Sequence, residues 1–285
     1  MTTINSPSEV AILMATYNGS KYLTAQIESI INQSFRNWTL YICDDGSTDN
    51  TPQIIDEFCK QDARIFQIIP HNKIQGAKFS FAYLLEVVNS RFYMFSDQDD
   101  EWKPEKIELS LNRIKELESI FPNKPIVVHT DLEVVDEKLN TINPSFWRMS
   151  KINPIILNNF NYIGICNCAT GCTMIFNNEA RHVSIPMPSG AEMHDWWVTL
   201  ITAKYGRVDY INYATIKYRQ HSSNVVGARN VNSKYFYHKI ISLKKTIYGH
   251  IYQHKFLRLA GWGGWIKFYY FKILYFILRN IREIN

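Results

Sequence analysis

The sequence predicts an α/β fold, a mostly parallel sheet flanked by helices, followed by a C-terminal helical extension. Three observations carry this expectation. Over the first 120 residues, short apolar runs alternate with segments whose apolar residues recur at helical spacing. That is the pattern of a parallel sheet covered by helices on both faces. The apolar runs stop at turns rich in aspartate, asparagine and glycine. Beyond residue 232 the composition changes abruptly to basic and aromatic. With 46% apolar and 20% charged residues in 285, disorder and collagen-like structure are excluded.

Val10–Ala15 is wholly apolar, as a buried parallel strand should be, and it stops at Thr16-Tyr17-Asn18-Gly19. Lys21–Phe35 places Leu23, Ile27, Ile30 and Ile31 on one helical face. Trp38–Cys43 is a second strand ending at Asp44-Asp45-Gly46-Ser47, and Thr51–Lys60 a second helix with Ile54, Ile55 and Phe58 inward. Arg64–Ile69 is a third strand, Ala77–Val88 a helix, and Arg91–Phe95 a fourth strand ending at Ser96-Asp97-Gln98-Asp99-Asp100. Helix Pro104–Ile120 begins with proline, where a missing N–H costs nothing. Further on, Pro125–His129, Ala169–Phe176, Val208–Ile211 and Ile216–Arg219 read as strands and Asp195–Tyr205 as a helix, so the second half of the sheet should be mixed.

Residues 234–285 hold ten of the 31 lysines and arginines against one acid, Glu283, for a net charge of +9, and the first 233 residues sum to −4. The tail also carries 14 of the 40 aromatic residues. A boundary is therefore expected between 1–232 and 233–285. Five cysteines at low density, an odd count, argue against a disulfide-built module. The opening MTTINSPSEV has no basic stretch leading into an apolar one, so a reducing, cytoplasmic setting is expected.

Three of the first four strands end in polar or acidic residues: Thr16 and Asn18, Asp44 and Asp45, and Asp97, Asp99 and Asp100. Ligands of open α/β sheets bind outside the carboxyl ends of the strands, so these carboxylates should share one cleft. Crowded like charges raise each other's pKa unless a cation relieves them. An all-oxygen set suits Mn2+ or Mg2+. The competing reading, that aspartates cap helices and make turns, applies best to Asp44 and Asp49. Neither a GxxxxGK[ST] loop nor a GxGxxG after the first strand is present, which disfavours an ATPase and a classical dinucleotide enzyme. A nucleotide sugar fits, its diphosphate carried by the metal acting as a Lewis acid.

Here the motifs reach a family. Ala15–Thr51 (ATYNGSKYL…CDDGSTDNT) resembles the opening signature of the inverting family 2 glycosyltransferases, which have the Rossmann-like A-type (GT-A) fold. Ser96–Trp102 (SDQDDEW) resembles their DxD region, and Glu192–Trp197 (EMHDWW) their acid-containing catalytic segment. Tyr218–Gly227 (YRQHSSNVVG) is similar to a segment of bacterial rhamnosyltransferases and related surface-polysaccharide enzymes. The resemblance spans roughly residues 9–228. It implies nucleotide-sugar binding by Ala15, Thr16, Tyr17, Asn18, Asp45, Asp97 and Arg219, metal binding by Asp99 and His221, and a catalytic base in Asp195. Asp100 would be an adjacent helper or a cap, His221 otherwise a surface loop histidine, and Arg219 otherwise structural. Residues 1–103 would form the nucleotide half and 104–232 the acceptor half. No QxxRW motif is present, so transfer of single sugars is expected rather than polymer synthesis.

The implied reaction is inverting transfer of one hexose, possibly from dTDP-L-rhamnose, onto a growing and lipid-linked bacterial glycan such as O-antigen, capsule or cell-wall polysaccharide. A UDP-hexose or UDP-N-acetylhexosamine donor would use the same mechanism. A sugar nucleotidyltransferase should carry a glycine- and arginine-rich phosphate loop, which is missing, and a non-catalytic glycan-binding subunit would not need Asp195. Cys166, Cys168 and Cys172 lack the paired spacing of a zinc site and read as buried thiols. Trp196 and Trp197 point to different sides of a helix, so at least one belongs to the core. In Ile266–Ile284, Lys267, Lys272, Arg279 and Arg282 interrupt the apolar run, too often for a spanning helix. Lys272, Arg279 and Arg282 share a face, as in a helix lying on an anionic membrane. Peripheral attachment to the inner face of the plasma membrane is therefore expected, with packing of these helices on the preceding domain as the alternative. Nucleic-acid binding is not expected, because the charges sit among bulky aliphatics.

Overall fold

The computed structural model describes residues 3–70, 74–221 and 243–281. The expected boundary near residue 232 lies outside the described residues. The strands are β1 (Ile4–Asn5), β2 (Val10–Thr16), β3 (Trp38–Asp44), β4 (Ile65–Gln67), β5 (Val88–Asn89), β6 (Phe92–Ser96), β7 (Glu101–Trp102), β8 (Ile126–Val135), β9 (Thr141–Asn143), β10 (Met174–Asn177) and β11 (Arg207–Arg219). The helices are α1 (Leu23–Ile31), α2 (Thr51–Gln61), α3 (Ala77–Val87), α4 (Lys106–Ile120), α5 (Phe146–Ser150), α6 (Phe160–Ile163), α7 (Asn178–Ser184), α8 (His194–Tyr205), α9 (Leu243–Leu259) and α10 (Trp265–Ile281).

A nine-stranded sheet runs β4-β3-β2-β6-β10-β8-β11-β7, with β9 added to β8. β4, β3, β2 and β6 are mutually parallel, and β10 is antiparallel to both β6 and β8. Strand alternation in β2 sends Val10, Ile12 and Met14 into one hydrophobic core and Ala11, Leu13 and Ala15 into the other, on opposite faces of the sheet. All seven residues of β2 are buried, which is why its sequence shows no polar alternation.

Three strand expectations change in extent. β8 continues six residues past the expected end at His129 to Val135, because Thr130 and Asp131 find internal partners: Thr130 and Thr215 hydroxyls meet at 2.7 Å, and Asp131 Oδ1 accepts from the Trp147 amide at 3.1 Å. β10 starts only at Met174, after a 3-10 turn at Gly171–Thr173. Val208–Ile211 and Ile216–Arg219 are one strand, β11, with register shifts against β8 at Ala214.

Among the described residues no helix is long and apolar enough to cross a membrane. α9 and α10 pack on the preceding domain, burying Phe256, Leu257, Trp262, Phe268 and Tyr275 in the same core cluster as Trp197 and Ile163. The sequence assigned Lys272 and Arg279 to a lipid-facing surface. The structure turns both inward, Lys272 Nζ to Gln253 Oε1 at 3.0 Å and Arg279 to the Ser150 carbonyl at 2.9 Å. Long cationic side chains can cross apolar surface to reach a carbonyl, so helical position alone did not fix where these heads lie.

Candidate active site

The cleft lies at the carboxyl ends of β2, β3 and β6, and the antiparallel entry of β10 brings Gly171 to the same edge. After β2 the chain turns sharply at Asn18, whose φ is 47°, a left-handed conformation that asparagine tolerates. The Asn18 amide donates to Ser47 Oγ at 2.9 Å, and its Oδ1 accepts from the Thr48 amide at 2.8 Å. Gln98 grips the Tyr17 backbone from the other side, accepting from its amide at 2.9 Å and donating to its carbonyl at 3.0 Å. Tyr17 is thus fixed in backbone while its side chain is 56% exposed. Ala15 and Thr16 are buried beneath it.

The acids divide by role. Asp44 accepts from the hydroxyl of Thr16 at 2.8 Å and from the amide of Ser47 at 2.9 Å, so it organises the turn. Asp49 accepts from the amides of Thr51 at 3.0 Å and Ser20 at 3.1 Å. Burial works against its charge, but the Thr51 and Ser20 hydrogen bonds outweigh it and hold the carboxyl below the usual range. Asp45 accepts from the Gly76 amide through Oδ2, and its Oδ1 is enclosed without a partner.

In the loop from Asp97 to Asp100, burial pushes Asp97 up to about 7, reinforced by the charges of Asp99 and then Asp195. Asp99 Oδ2 lies 2.8 Å from His221 Nε2, and the imidazole sits 4.8 Å from the Tyr22 ring. Asp100 is fully buried and raised well above its usual value by burial and by Asp99 and Asp97. Its Oδ1 accepts from the Arg219 amide at 3.1 Å. The Arg219 guanidinium donates to the carbonyls of Asp99 (3.0 Å) and Glu137 (2.8 Å) and to Glu101 (3.0 Å). With a side chain 5% exposed, Arg219 braces the loop from behind.

Asp195 stands in the first turn of α8, where a carboxylate is favoured by the helix N-terminus. Its Oδ1 accepts from the Trp196 amide at 2.6 Å and its Oδ2 from the Gly171 amide at 3.0 Å. Burial raises its pKa to about 6 despite these bonds. Beside it, burial and the Asp195 charge raise Glu192, whose Oε2 is enclosed without a partner. His194 is a core ring, stacked 4.0 Å from Phe81 and pushed down to about 3 by burial.

Among the described residues, ligand atoms of Asp97, Asp100 and Cys172 lie within 4.8 Å of one another. Burial pushes the Cys172 thiol far up, next to the charges of Asp100 and Asp97. A protonated thiol is a poor partner for a hard cation, whereas the oxygen–imidazole pair of Asp99 and His221 matches the donors Mn2+ accepts. The Asp99–His221 pair, with side chains 15% and 8% exposed, therefore offers the donors that a divalent ion would take. Cys168 is a buried thiol 3.5 Å from His129, and all five cysteines are free.

Residues 11–181 match the model of the glycosyl transferase family 2, more than half of the chain. The chain is a family 2 glycosyltransferase.

The transferase is 27% identical over 218 residues to the UDP-Glc:alpha-D-GlcNAc-diphosphoundecaprenol beta-1,3-glucosyltransferase WfgD of Escherichia coli, covering 76% of this chain and 79% of that one. It is 29% identical over 239 residues to the dTDP-rhamnosyl transferase RfbG of Shigella flexneri, covering 80% and 78%. Among solved structures it is similar to S. aureus TarS 1-349 in complex with UDP-GlcNAc, with a TM-score of 0.59 at 17% identity over 87% of this chain and 71% of that one. In another TarS 1-349 structure it spans 60% of that chain. The mannosyltransferase PcManGT from Pyrobaculum calidifontis, in complex with GDP-Man and Mn2+, gives 0.56 at 13% identity over 78% and 59%. At such identities the structures establish the fold, and it is the expected A-type glycosyltransferase fold.

The structure gathers Tyr17, Asp45, Asp97, Asp99, His221 and Asp195 of the transferase around one sheet edge, and sets Ala15, Thr16, Asn18 and Arg219 behind them as support. Sequence reading missed Gln98 and Gly171, since one acts on a backbone and the other through its own amide. The Gly19 that follows Asn18 was the available signal for the first. A Cβ there would lie 2.2 Å from Gln98 Oε1. Gly19→Ala is expected to displace Gln98, raise the donor KM by about tenfold through loss of a preorganised Tyr17, and leave the melting temperature within a few degrees. A mutant with wild-type donor KM would remove Gln98 from the site.

Proposed function

We propose that this transferase moves a single hexose, with inversion at the anomeric carbon, from a nucleoside diphosphate sugar to a lipid-linked bacterial surface glycan. The observation that carries the reading is Asp195, a carboxylate fixed by two backbone amides and close enough to the DxD loop for its charge to act on Asp97. Asp195 accepts the proton of the acceptor hydroxyl as that oxygen attacks the anomeric carbon. One base suffices for a single displacement, where a retaining route through a covalent intermediate needs a second positioned carboxylate. Tyr17 and Asp45 face the nucleoside and Asp97 the sugar. Asp99 and His221 hold Mn2+ or Mg2+, which when bound supplies Lewis-acid stabilisation to the departing diphosphate. Residues 1–103 serve the donor and 104–232 the acceptor.

The dTDP-rhamnosyl relative and the Tyr218–Gly227 segment favour a dTDP-L-rhamnose donor. The UDP-Glc relative and the UDP-GlcNAc complex of a structural neighbour favour a UDP-sugar. The acceptor in the name of WfgD, a diphosphoundecaprenol-linked sugar, supports a lipid-linked acceptor and hence peripheral attachment to the cytoplasmic face of the plasma membrane.

The test is nucleoside diphosphate release from a panel of nucleotide sugars in Mn2+. One donor is expected to dominate, EDTA to abolish release, and Asp99→Asn to weaken donor binding at least tenfold in Mn2+. Wild-type release that survives EDTA, or an Asp99→Asn variant with wild-type donor affinity in Mn2+, would overturn the metal assignment. Release from none of the sugars in the presence of lipid extract would overturn the transferase reading.

A further inference from the structure

Helices α9 and α10 have two unlike faces. The inner one is bonded to the domain: Gln253 donates to the carbonyls of Gly164 (2.9 Å) and Ile165 (3.0 Å), and the Trp262 indole to that of Phe160 (2.9 Å). On the outer face of α10 lie Ile266, Tyr269, Tyr270, Ile273, Phe276 and Ile277, between 42% and 90% exposed. Their spacing, i, i+3, i+4, i+7, i+10 and i+11, is a single helical stripe. On α9, Tyr248, Tyr252 and Leu259 are exposed at the same repeat, alongside exposed Lys255 and Arg258.

Isolated apolar residues on a surface need no explanation, but a continuous stripe marks a binding face. Its composition narrows the occupant. Tyrosines with an apolar body and a polar tip suit a boundary between water and hydrocarbon. The stripe sits in a segment with ten cations and one acid. Residues 243–281 contain no acid, and Lys255 and Arg258 are exposed, so a second copy would set like charges together, whereas an anionic surface is complementary. We propose that the outer stripe of α10, with Lys255 and Arg258 beside it, seats the enzyme on an anionic lipid bilayer. This rests on the reading of a lipid-linked acceptor. It differs from the sequence expectation in its contact surface: the apolar stripe enters the interface, and Lys272 and Arg279 stay with the protein. Exposed cations near an anionic surface add electrostatic attraction to the apolar contact, so binding should be reversible and salt-sensitive.

The test uses the full chain and the triple variant Ile266→Ser, Ile273→Ser, Ile277→Ser, which leaves the inner face intact. Vesicles of phosphatidylcholine alone and of phosphatidylcholine with phosphatidylglycerol are sedimented at low and high salt, and nucleotide binding is measured separately by UDP and dTDP titration. The wild type is expected to pellet with the anionic vesicles and to be released by salt. The variant should lose at least tenfold in vesicle affinity with unchanged melting temperature and nucleotide binding. Equal sedimentation of variant and wild type overturns the proposal, as does wild-type binding indifferent to lipid charge and salt. A wild-type dimer that the variant abolishes, without vesicle binding, assigns the stripe to a second copy instead. Failure of wild type to bind either nucleotide would strike the donor reading and leave the vesicle result standing.

Discussion

Asp195→Asn is expected to lower kcat by about 10²–10⁴-fold, the range for loss of a positioned general base, with donor affinity within twofold of wild type. The asparagine amide can keep one of the two backbone contacts but cannot take a proton. The same residue sets the pH dependence. Its pKa is raised to about 6, by burial, and the base works only when deprotonated. Turnover should therefore be full above that value and fall about tenfold per pH unit below it, while an unperturbed aspartate would hold activity down to about 4. Steady-state kinetics from pH 4.5 to 8 checks both. A variant retaining half of wild-type kcat would move the base elsewhere.

Deleting residues 243–281 should leave a chain that does not fold into a soluble, donor-binding domain. The sequence treats this segment as a separable tail, and activity on a soluble acceptor would then survive its loss. In the structure Phe256, Trp262 and Phe268 are at most 1% exposed, within the core cluster that also holds Trp197 and Ile163. Fully burying one such side chain is worth about 1.5–3 kcal/mol, and removing several approaches the whole 5–15 kcal/mol stability of an ordinary domain. Trp262→Ala alone should cost about 3–5 kcal/mol, read as a shift in the denaturant midpoint. A truncated protein that stays soluble and melts like the wild type would restore the tail to independence.

The first strands were legible because β2 and β3 are buried on both faces. Val10–Ala15 and Trp38–Cys43 have no alternation to mistake, and each stops at polar residues whose side chains fix a turn. For Asp44 and Asp49 a turn-making reading stood beside a ligand-facing one, since such aspartates look alike until their hydrogen bonds are counted. The second half was less legible. β8 runs through Thr130 and Asp131, polar residues buried with partners remote in sequence, and α5 and α6 lie in a stretch with little periodicity. Of the site, acidic groups declared themselves. Gln98 and Gly171 did not, because each works through backbone atoms, whose positions a sequence does not show.

The stretch between β9 and β10 leaves the sheet at Asn143 and returns at Met174 on the edge where Asp195 receives the Gly171 amide. Along its way it is held by the far end of the chain: Ser150 by Arg279, Phe160 by Trp262, Gly164 and Ile165 by Gln253. A Cβ on Gly164 would lie 2.3 Å from Trp262 Nε1. The excursion and the terminal helices are therefore matched as a key is to its ward, though a hundred residues separate them in the chain. A relative's excursion cannot replace this one alone. Grafted without its own terminal helices, the new segment would meet Trp262 and Gln253 at the wrong carbonyls. In this architecture the excursion is a two-piece inheritance, carried only together with the helices that hold it.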